Sequence, residues 1–294
     1  MKILVTGANG QVGSELMRRG NTRRFQMLAS DVSDLDISDQ DAVNGYIENC
    51  KPDILINAAA YTAVDKAESE KELAHAINCD GAAYLAQACS KLDIPLFHIS
   101  TDYVFDGTKD GAYVETDTPN PQSVYGKSKL EGDLAIESTI ENHIILRVSW
   151  VFGARGNNFV KTMLRLGSEK EELKIVADQQ GSPTWAGAIA STLLDIVKRY
   201  AQGNPIQWGT YHYSSQPITT WYEFADTIFG QAADLGMLEN RPKIHRISTN
   251  EFPTAAVRPR NSVLDCSKIM KALRTTQPDW RNGLKEVLSE WREQ

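Results

Sequence analysis

The stretch "ILVTGANGQVGSEL" sets Gly7, Gly10 and Gly13 at three-residue intervals between an apolar, β-branched run and an amphipathic one. A strand that passes directly into a helix through three glycines restricts the fold more than any other feature of the chain. Gly7 permits the tight turn, Gly10 lets a pyrophosphate approach the backbone, and Gly13 lets the helix pack closely on the strands. The unpaired N–H groups and positive dipole end of the helix that starts at Gln11 then face the phosphates. A plain strand–helix turn would use the same residues, so the pattern needs support from its surroundings.

The rest of the first half supplies that support. "MKILVTG" reads as a buried strand, and "FQMLASD", "DILINAAA", "PLFHIST" and "HIILRVSW" as further strands, separated by helical segments such as "DQDAVNGYIENC" and "KELAHAINCDGAAYLAQACSKLD". Strands alternating with helices imply βαβ units: an α/β, Rossmann-like, doubly wound parallel sheet with helices on both faces. Right-handed crossovers put every carboxyl strand end on one edge, where ligands bind. After residue 152 the rhythm breaks. Loop-like segments separate helices expected at 159–170, 186–201 and 221–235, which suggests a smaller, interwoven lobe. The expected division is a dinucleotide-binding unit over 1–152 and a mainly substrate-binding lobe over 153–294. Strands near 210–214 and 262–266 are expected to return to the sheet.

Composition narrows the class. With 41% hydrophobic and 23% charged residues the chain can build a large core, and its net charge of −7 argues against a nucleic-acid footprint. No apolar run approaches the length of a membrane span, and the four scattered cysteines show neither C-x-x-C nor a metal-ligand spacing. Free thiols in a soluble cytoplasmic protein are the expectation.

The strand ends carry candidate chemistry. Asp31 closes the second strand, where a carboxylate hydrogen-bonds an adenosine ribose and disfavours a 2′-phosphate; Arg18 and Arg19 are near enough in sequence to compensate. An Asp in that place also serves as a cap, and the choice between NADH and NADPH stays open. Ala58 to Ala60 would let a cofactor lie flat against the backbone. Ser100, Thr101 and Asp102 follow the fourth strand and set hydroxyl and carboxyl groups at the ligand edge. "SVYGKSKLEG" then places Tyr125 and Lys129 one helical turn apart on a shared face. That spacing arises by chance about 0.5 times in a chain with this tyrosine and lysine content. Following a nucleotide turn and a hydroxyl strand end, it acquires a use. An ammonium lowers the phenol's usual value near 10, so that Tyr125 can protonate a carbonyl oxygen as a hydride arrives. Thr101 would hold the same oxygen. Trp150 follows the fifth strand, and its flat ring suits either an apolar sugar face or the core.

The order of turn, hydroxyl strand end and Tyr-x-x-x-Lys resembles an extended short-chain dehydrogenase/reductase. "GANGQVG", "NAAAYTAVDKAE", "STDYVFDG", "VYGKSKLEGD", "LRVSWVFG", "GNNFVKTMLRLG", "VADQQGSPT" and "RPRNS" together resemble the dTDP-4-dehydrorhamnose reductase family, from residue 2 to about residue 262. The resemblance implies reduction of a 4-keto deoxysugar nucleotide by NADPH or NADH, with Tyr125 as proton donor, Lys129 as its partner and Thr101 on the substrate oxygen. It implies cofactor contacts at Gly10, Gln11, Val12, Asp31, Asp36, Ile37, Ala60, Tyr61 and Thr62, and deoxysugar contacts at Thr101, Asp102 and Trp150. The substrate's two phosphates call for cations and donors from the second lobe, for which Arg258, Arg260, Asn157 and Asn158 are the candidates. Some members resemble Mg²⁺-linked homodimers that use acids from the first helix and from the helix after "GSPT". Glu15 is present here, but "WAGAIAS" has no carboxylate, so no metal site is expected from this pattern, while another dimer contact remains open. A nucleotide-sugar epimerase and a non-catalytic cofactor-binding subunit are the competing functions. The first would retain bound NAD without net turnover, and the second would turn over nothing.

Overall fold

The computed structural model describes residues 1–293. The chain opens with β1 (Lys2–Thr6), α1 (Gln11–Thr22), β2 (Gln26–Ser30), α2 (Gln40–Cys50) and β3 (Ile54–Asn57). A short α3 (Val64–Ala67) precedes α4 (Lys71–His75), which runs through a π-helical turn at Ala76–Asp80 into α5 (Gly81–Lys91). Next come β4 (Leu96–Thr101), a 3₁₀ turn at Asp102–Val104, α6 (Val124–Thr139) and β5 (His143–Val148). The single long helix expected from "KELAHAINCDGAAYLAQACSKLD" is therefore one helical path with an inserted residue at its centre.

The second half adds β6 (Val151–Phe152), α7 (Phe159–Glu169), β7 (Glu172–Val176), β8 (Gln180–Gly181), β9 (Thr184–Trp185) and α8 (Ala186–Ala201). It continues with β10 (Gly209–Tyr213), β11 (Thr219–Thr220), α9 (Trp221–Asp234), β12 (Lys243–Ile247), α10 (Ser267–Leu273) and α11 (Trp280–Arg292).

The main sheet has strand order β10-β5-β4-β3-β1-β2, all parallel. Its order reverses between β1 and β3, so the carboxyl ends of those strands flank a crevice. Every residue of β3 and β5 is buried, as a strand covered on both faces requires, whereas edge strand β2 is mostly exposed or half-buried. One face packs Ile3, Val5 and Ile56 against Leu16 of α1 and Ile189, Leu193 and Val197 of α8. The other packs Leu4, Leu55 and Ile145 against Val43 of α2, Leu85 of α5 and Ile136 of α6. A separate core joins α7, α9 and α11 through Val160, Phe224, Phe229 and Leu284.

The strand expected near 210–214 is β10, on the sheet edge. The strand expected at 262–266 does not form. Leu264 makes an isolated bridge to Tyr113, and Asp265 accepts from the Ser267 N–H at 2.7 Å, turning the chain into α10 instead. Among the described residues no helix is long and apolar enough to cross a membrane.

Candidate active site

The glycine turn is built as its spacing requires. Gly7 has φ +67, and a Cβ on Gly13 would lie 2.0 Å from the Gly7 carbonyl oxygen. Side chains at these positions would collide with backbone, which leaves glycine as the residue that lets α1 start tight against β1. Gly10 caps α1 with no side-chain hydrogen bond, so the helix's first N–H groups, Gln11 and Val12 among them, face the crevice. Ala58 donates its N–H to Thr6 at 3.0 Å and brings the start of "AAAYT" beside the turn. This cradle fits a dinucleotide phosphate.

Asp31 is tied to the same turn. Its carboxylate accepts the Asn9 N–H at 2.9 Å and the Val32 N–H at 2.8 Å. Asp36 is exposed and accepts from both the N–H and hydroxyl of Ser38, while the Ile37 side chain is buried in the core with α2 and α5. Asn78 holds Tyr61 by its backbone, accepting the Tyr61 N–H at 2.8 Å and donating to its carbonyl at 3.1 Å. Ala60 is half-buried and Thr62 exposed. Arg18 and Arg19 do not turn toward Asp31: both bind Glu15, at 2.7 and 2.8 Å, and Arg19 also lies over the Trp185 ring.

Thr101 ends β4 and is buried. Its hydroxyl accepts the Tyr103 N–H at 3.2 Å and donates to Asp102 at 3.1 Å. The other Asp102 oxygen has no partner among the described residues, and burial pushes that carboxyl up to about 6. Opposite, Ser123 caps α6 by accepting the Gly126 N–H at 3.1 Å. Gly126 lets the helix approach, since a Cβ there would lie 2.2 Å from the Tyr103 carbonyl oxygen. The first turn of α6 is thereby pressed onto the end of β4, and Tyr125 meets Tyr103 edge to face. Burial raises the Tyr125 phenol above its usual range.

The expected lowering of Tyr125 by Lys129 does not appear here. Lys129 is fully buried, with its amino group 2.9 Å from His98 Nε2 and donating to the Ile99 carbonyl at 2.8 Å. Its hydrogen bonds run down into the sheet, so the amino group is not engaged with the phenol. Burial also lowers Lys129 to about 8, against the pull of Asp133.

The second lobe closes a cleft of about 480 Å³ beside this centre, lined by Tyr103, Met163, Ile175, Trp221, Phe252 and Arg258. Arg258 reaches across it, donating to the Tyr103 hydroxyl at 3.0 Å and to Asp65 at 2.5 Å. Trp150 is stacked on Trp221 with centroids 3.6 Å apart, so one face of its ring is already covered. Asn158 is placed differently from the expectation. It caps α7 by accepting the Lys161 N–H at 3.1 Å, and it donates to Gln11 at 3.1 Å and to the Gly153 carbonyl at 2.8 Å. Its amide links the glycine turn to the second lobe. Asn157 and Arg260 are exposed.

Glu15 does not suit a shared Mg²⁺, because two guanidinium groups already occupy its carboxylate and would repel the ion. At the surface, His75, Cys79 and Glu131 lie together, although no ligand spacing announced them; His75 and Glu131 are paired with each other at 3.0 Å.

Several residues of the site escape a motif-based reading. Asn57, His98, Asp133 and Arg147 form a buried polar set beneath Lys129. The available signals are the histidine inside the apolar run "LFHIST" and the Lys129–Asp133 spacing, which buries two charges on one helix face. Asp65, Tyr103 and Trp221 lie in stretches that look like ordinary loop and helix.

A parallel sheet with a glycine-rich first turn, and a Thr–Tyr–Lys set at its carboxyl edge, defines the class of Rossmann-type short-chain oxidoreductases. The model of the RmlD substrate binding domain matches residues 1–293. The dTDP-4-dehydrorhamnose reductase of Aggregatibacter actinomycetemcomitans is 46% identical over 97% of this chain and 98% of the relative. Among solved structures, a dTDP-4-dehydrorhamnose reductase from Clostridium acetobutylicum superposes with TM-score 0.91 at 39% identity, covering 99% of this chain and 100% of that one. The Bacillus anthracis dTDP-4-dehydrorhamnose reductase, in complex with NADP, gives 0.90 at 36% identity over 98% and 99%. The chain belongs to the dTDP-4-dehydrorhamnose reductase family.

Proposed function

We propose that this protein reduces the C4 carbonyl of dTDP-4-dehydro-6-deoxy-L-mannose with NADPH or NADH, giving dTDP-L-rhamnose, a precursor of cell-surface polysaccharide. The observation that carries this reading is the packing of Tyr125, in the first turn of α6, on Tyr103, whose N–H binds the Thr101 hydroxyl at the carboxyl end of β4, on the sheet edge that also holds the glycine turn. When bound, the reduced nicotinamide supplies the hydride to the carbonyl carbon. Tyr125 gives its phenolic proton to the carbonyl oxygen. Thr101 turns its hydroxyl proton from Asp102 to that oxygen, and Lys129 supplies positive charge as the phenolate forms. Burial keeps the Tyr125 phenol protonated in the resting site but makes it a weaker acid, so positive charge from Lys129 is what lets the proton leave.

The cofactor contacts follow the turn: Gly7, Gly10, Gln11, Val12 and Gly13 at the phosphates, and Asp31 at the ribose. Asp31, with Arg18 and Arg19 bound to Glu15, favours NADH, whereas the Bacillus anthracis relative carries NADP. The ratio of kcat/KM for the two reductants decides between them. The apolar cleft suits a flat base, and Arg258 a diphosphate. Asp102 and the free edge of Trp150 lie toward the sugar.

The test is a cofactor-oxidation assay over a panel of 4-keto nucleotide sugars. Oxidation only with the 4-keto-L-rhamnosyl nucleotide is the expected outcome. An epimerase would consume no reductant, and a regulatory subunit would leave every substrate unchanged.

A further inference from the structure

Lys129 is held from below by a chain of hydrogen bonds whose direction is fixed at its far end. The Ala59 N–H donates to Asn57 Oδ1 at 3.0 Å, and the Thr6 hydroxyl donates to the same oxygen at 2.8 Å. The Asn57 atom facing His98 Nδ1, at 3.0 Å, is therefore the amide nitrogen. It has only hydrogens to give, so Nδ1 accepts and carries no proton. A neutral imidazole keeps one proton, which must then sit on Nε2. That nitrogen lies 2.9 Å from Lys129 Nζ, and both side chains are buried. Two N–H groups cannot point at each other across such a gap, so the contact is a hydrogen bond only if Nζ offers a lone pair.

We propose that His98 is a positioning residue that holds Lys129 as a neutral amine and releases it toward Tyr125 as an ammonium when the amine gains a proton. The proton balance is simple. One proton from solvent enters the Nζ lone pair, the Nε2–H···Nζ hydrogen bond breaks, and His98 keeps its single proton on Nε2. The ammonium retains the Ile99 carbonyl and turns its remaining N–H groups to the side of α6 on which Tyr125 lies one turn earlier.

The charged and titratable groups around this pair are few. From α6, the Asp133 carboxylate lies 3.9 Å from His98 Nε2 and has one oxygen without a partner among the described residues; it favours the ammonium. From β5, Arg147 binds Asp133 at 3.2 Å and weakens that pull. Tyr125 on α6, with Asp102 and Tyr103 of the 3₁₀ turn, lies on the cleft side. Strands β1 and β3 contribute only the uncharged Thr6 and Asn57. Burial holds His98 well below its usual value, which keeps the ring neutral, and holds Lys129 at about 8, so the held amine is the major form above that pH and the released ammonium the major form below it.

The consequence for the reaction rests on the roles proposed above for Tyr125 and Lys129; the first test does not. A long-range ¹H–¹⁵N spectrum of the wild-type protein, with signals assigned through His98→Gln, should show a neutral ring protonated on Nε2 and bare at Nδ1 down to pH 5. An Nδ1–H tautomer, or an imidazolium at pH 7, would overturn the proposal. The second test is the alkaline limb of the kcat/KM profile. In His98→Gln a carbonyl oxygen can accept from the ammonium, so Lys129 stays charged to higher pH and the limb should rise by a unit or more. In His98→Leu the neutral amine loses the N–H that stabilises it, so the limb should rise, though by less than in His98→Gln, and kcat should drop at least tenfold because Nζ loses its anchor. Folded variants whose limbs stay in place would contradict the proposal and leave His98 as packing alone. A failure of Tyr125 as proton donor would show in Tyr125→Phe and would leave the tautomer result untouched.

Discussion

The rings of Tyr103 and Tyr125 meet edge to face, centroids 5.5 Å apart at 73°, and join the end of β4 to the first turn of α6. Tyr103 continues outward to Arg258, so the proton donor and the nucleotide cleft share one wall. Tyr125→Phe keeps this packing and removes only the phenolic proton. Its kcat is expected to fall 10²–10⁴-fold with little change in thermal stability. A loss below tenfold in a steady-state assay would remove Tyr125 from the proton-transfer step.

Arg258 touches the cleft wall and Asp65 but not the proton donor itself. Arg258→Ala is expected to raise KM for the nucleotide sugar about 10-fold or more, the scale of a lost charged hydrogen bond, while kcat stays within about twofold. Separate kcat and KM values decide. A fall confined to kcat would place Arg258 at the reacting centre instead.

Gly13→Ala puts a methyl group 2.0 Å from the Gly7 carbonyl oxygen, where backbone must move. Overpacking of this kind costs ~1–3 kcal/mol. Titration with the reduced cofactor is expected to show at least tenfold weaker binding, together with a lower Tm. Undiminished affinity would mean that the turn does not bind the phosphates.

Asp102 gives a pH signature. Burial raises its carboxyl from 3.8 to about 6, a rise that corresponds to ~3 kcal/mol at most. Because the folded-state value lies above the unfolded one, the penalty is absent below pH 3.8 and complete above about pH 6. Asp102→Asn removes the charge, so the variant should gain stability over wild type as pH rises from 4 to 8. Denaturant unfolding at the two pH values measures the difference; a gain that shrinks with pH would refute the assignment.

Much of the fold was legible because its signals are local. The glycine turn follows from steric needs within seven residues, and β1, β3, β4 and β5 are short apolar runs that parallel-sheet burial demands. Strand-end position and helical spacing singled out Thr101, Tyr125 and Lys129, which lie at the end of β4 and in the first turns of α6. What stayed hidden depends on distant partners. The partner of Lys129 is a histidine on β4, distant in sequence, so the expected pull on Tyr125 gave way to a bond into the sheet. Asn158 resembled a ligand donor in "GNNF", but the backbone around it recruits its amide as a cap for α7. The 262–266 run has strand composition, yet the turn made by Asp265 and the start of α10 remove it from the sheet.

The most direct measurement follows the hydride. The protein is incubated with the 4-keto-L-rhamnosyl nucleotide and reductant deuterated at the transferable position of the nicotinamide, and the product is read by NMR. The expected product is dTDP-L-rhamnose with deuterium at C4, one per cofactor oxidised. A product without deuterium at C4, or isomerised sugar with the cofactor unconsumed, would contradict the assignment of this chain as a carbonyl reductase.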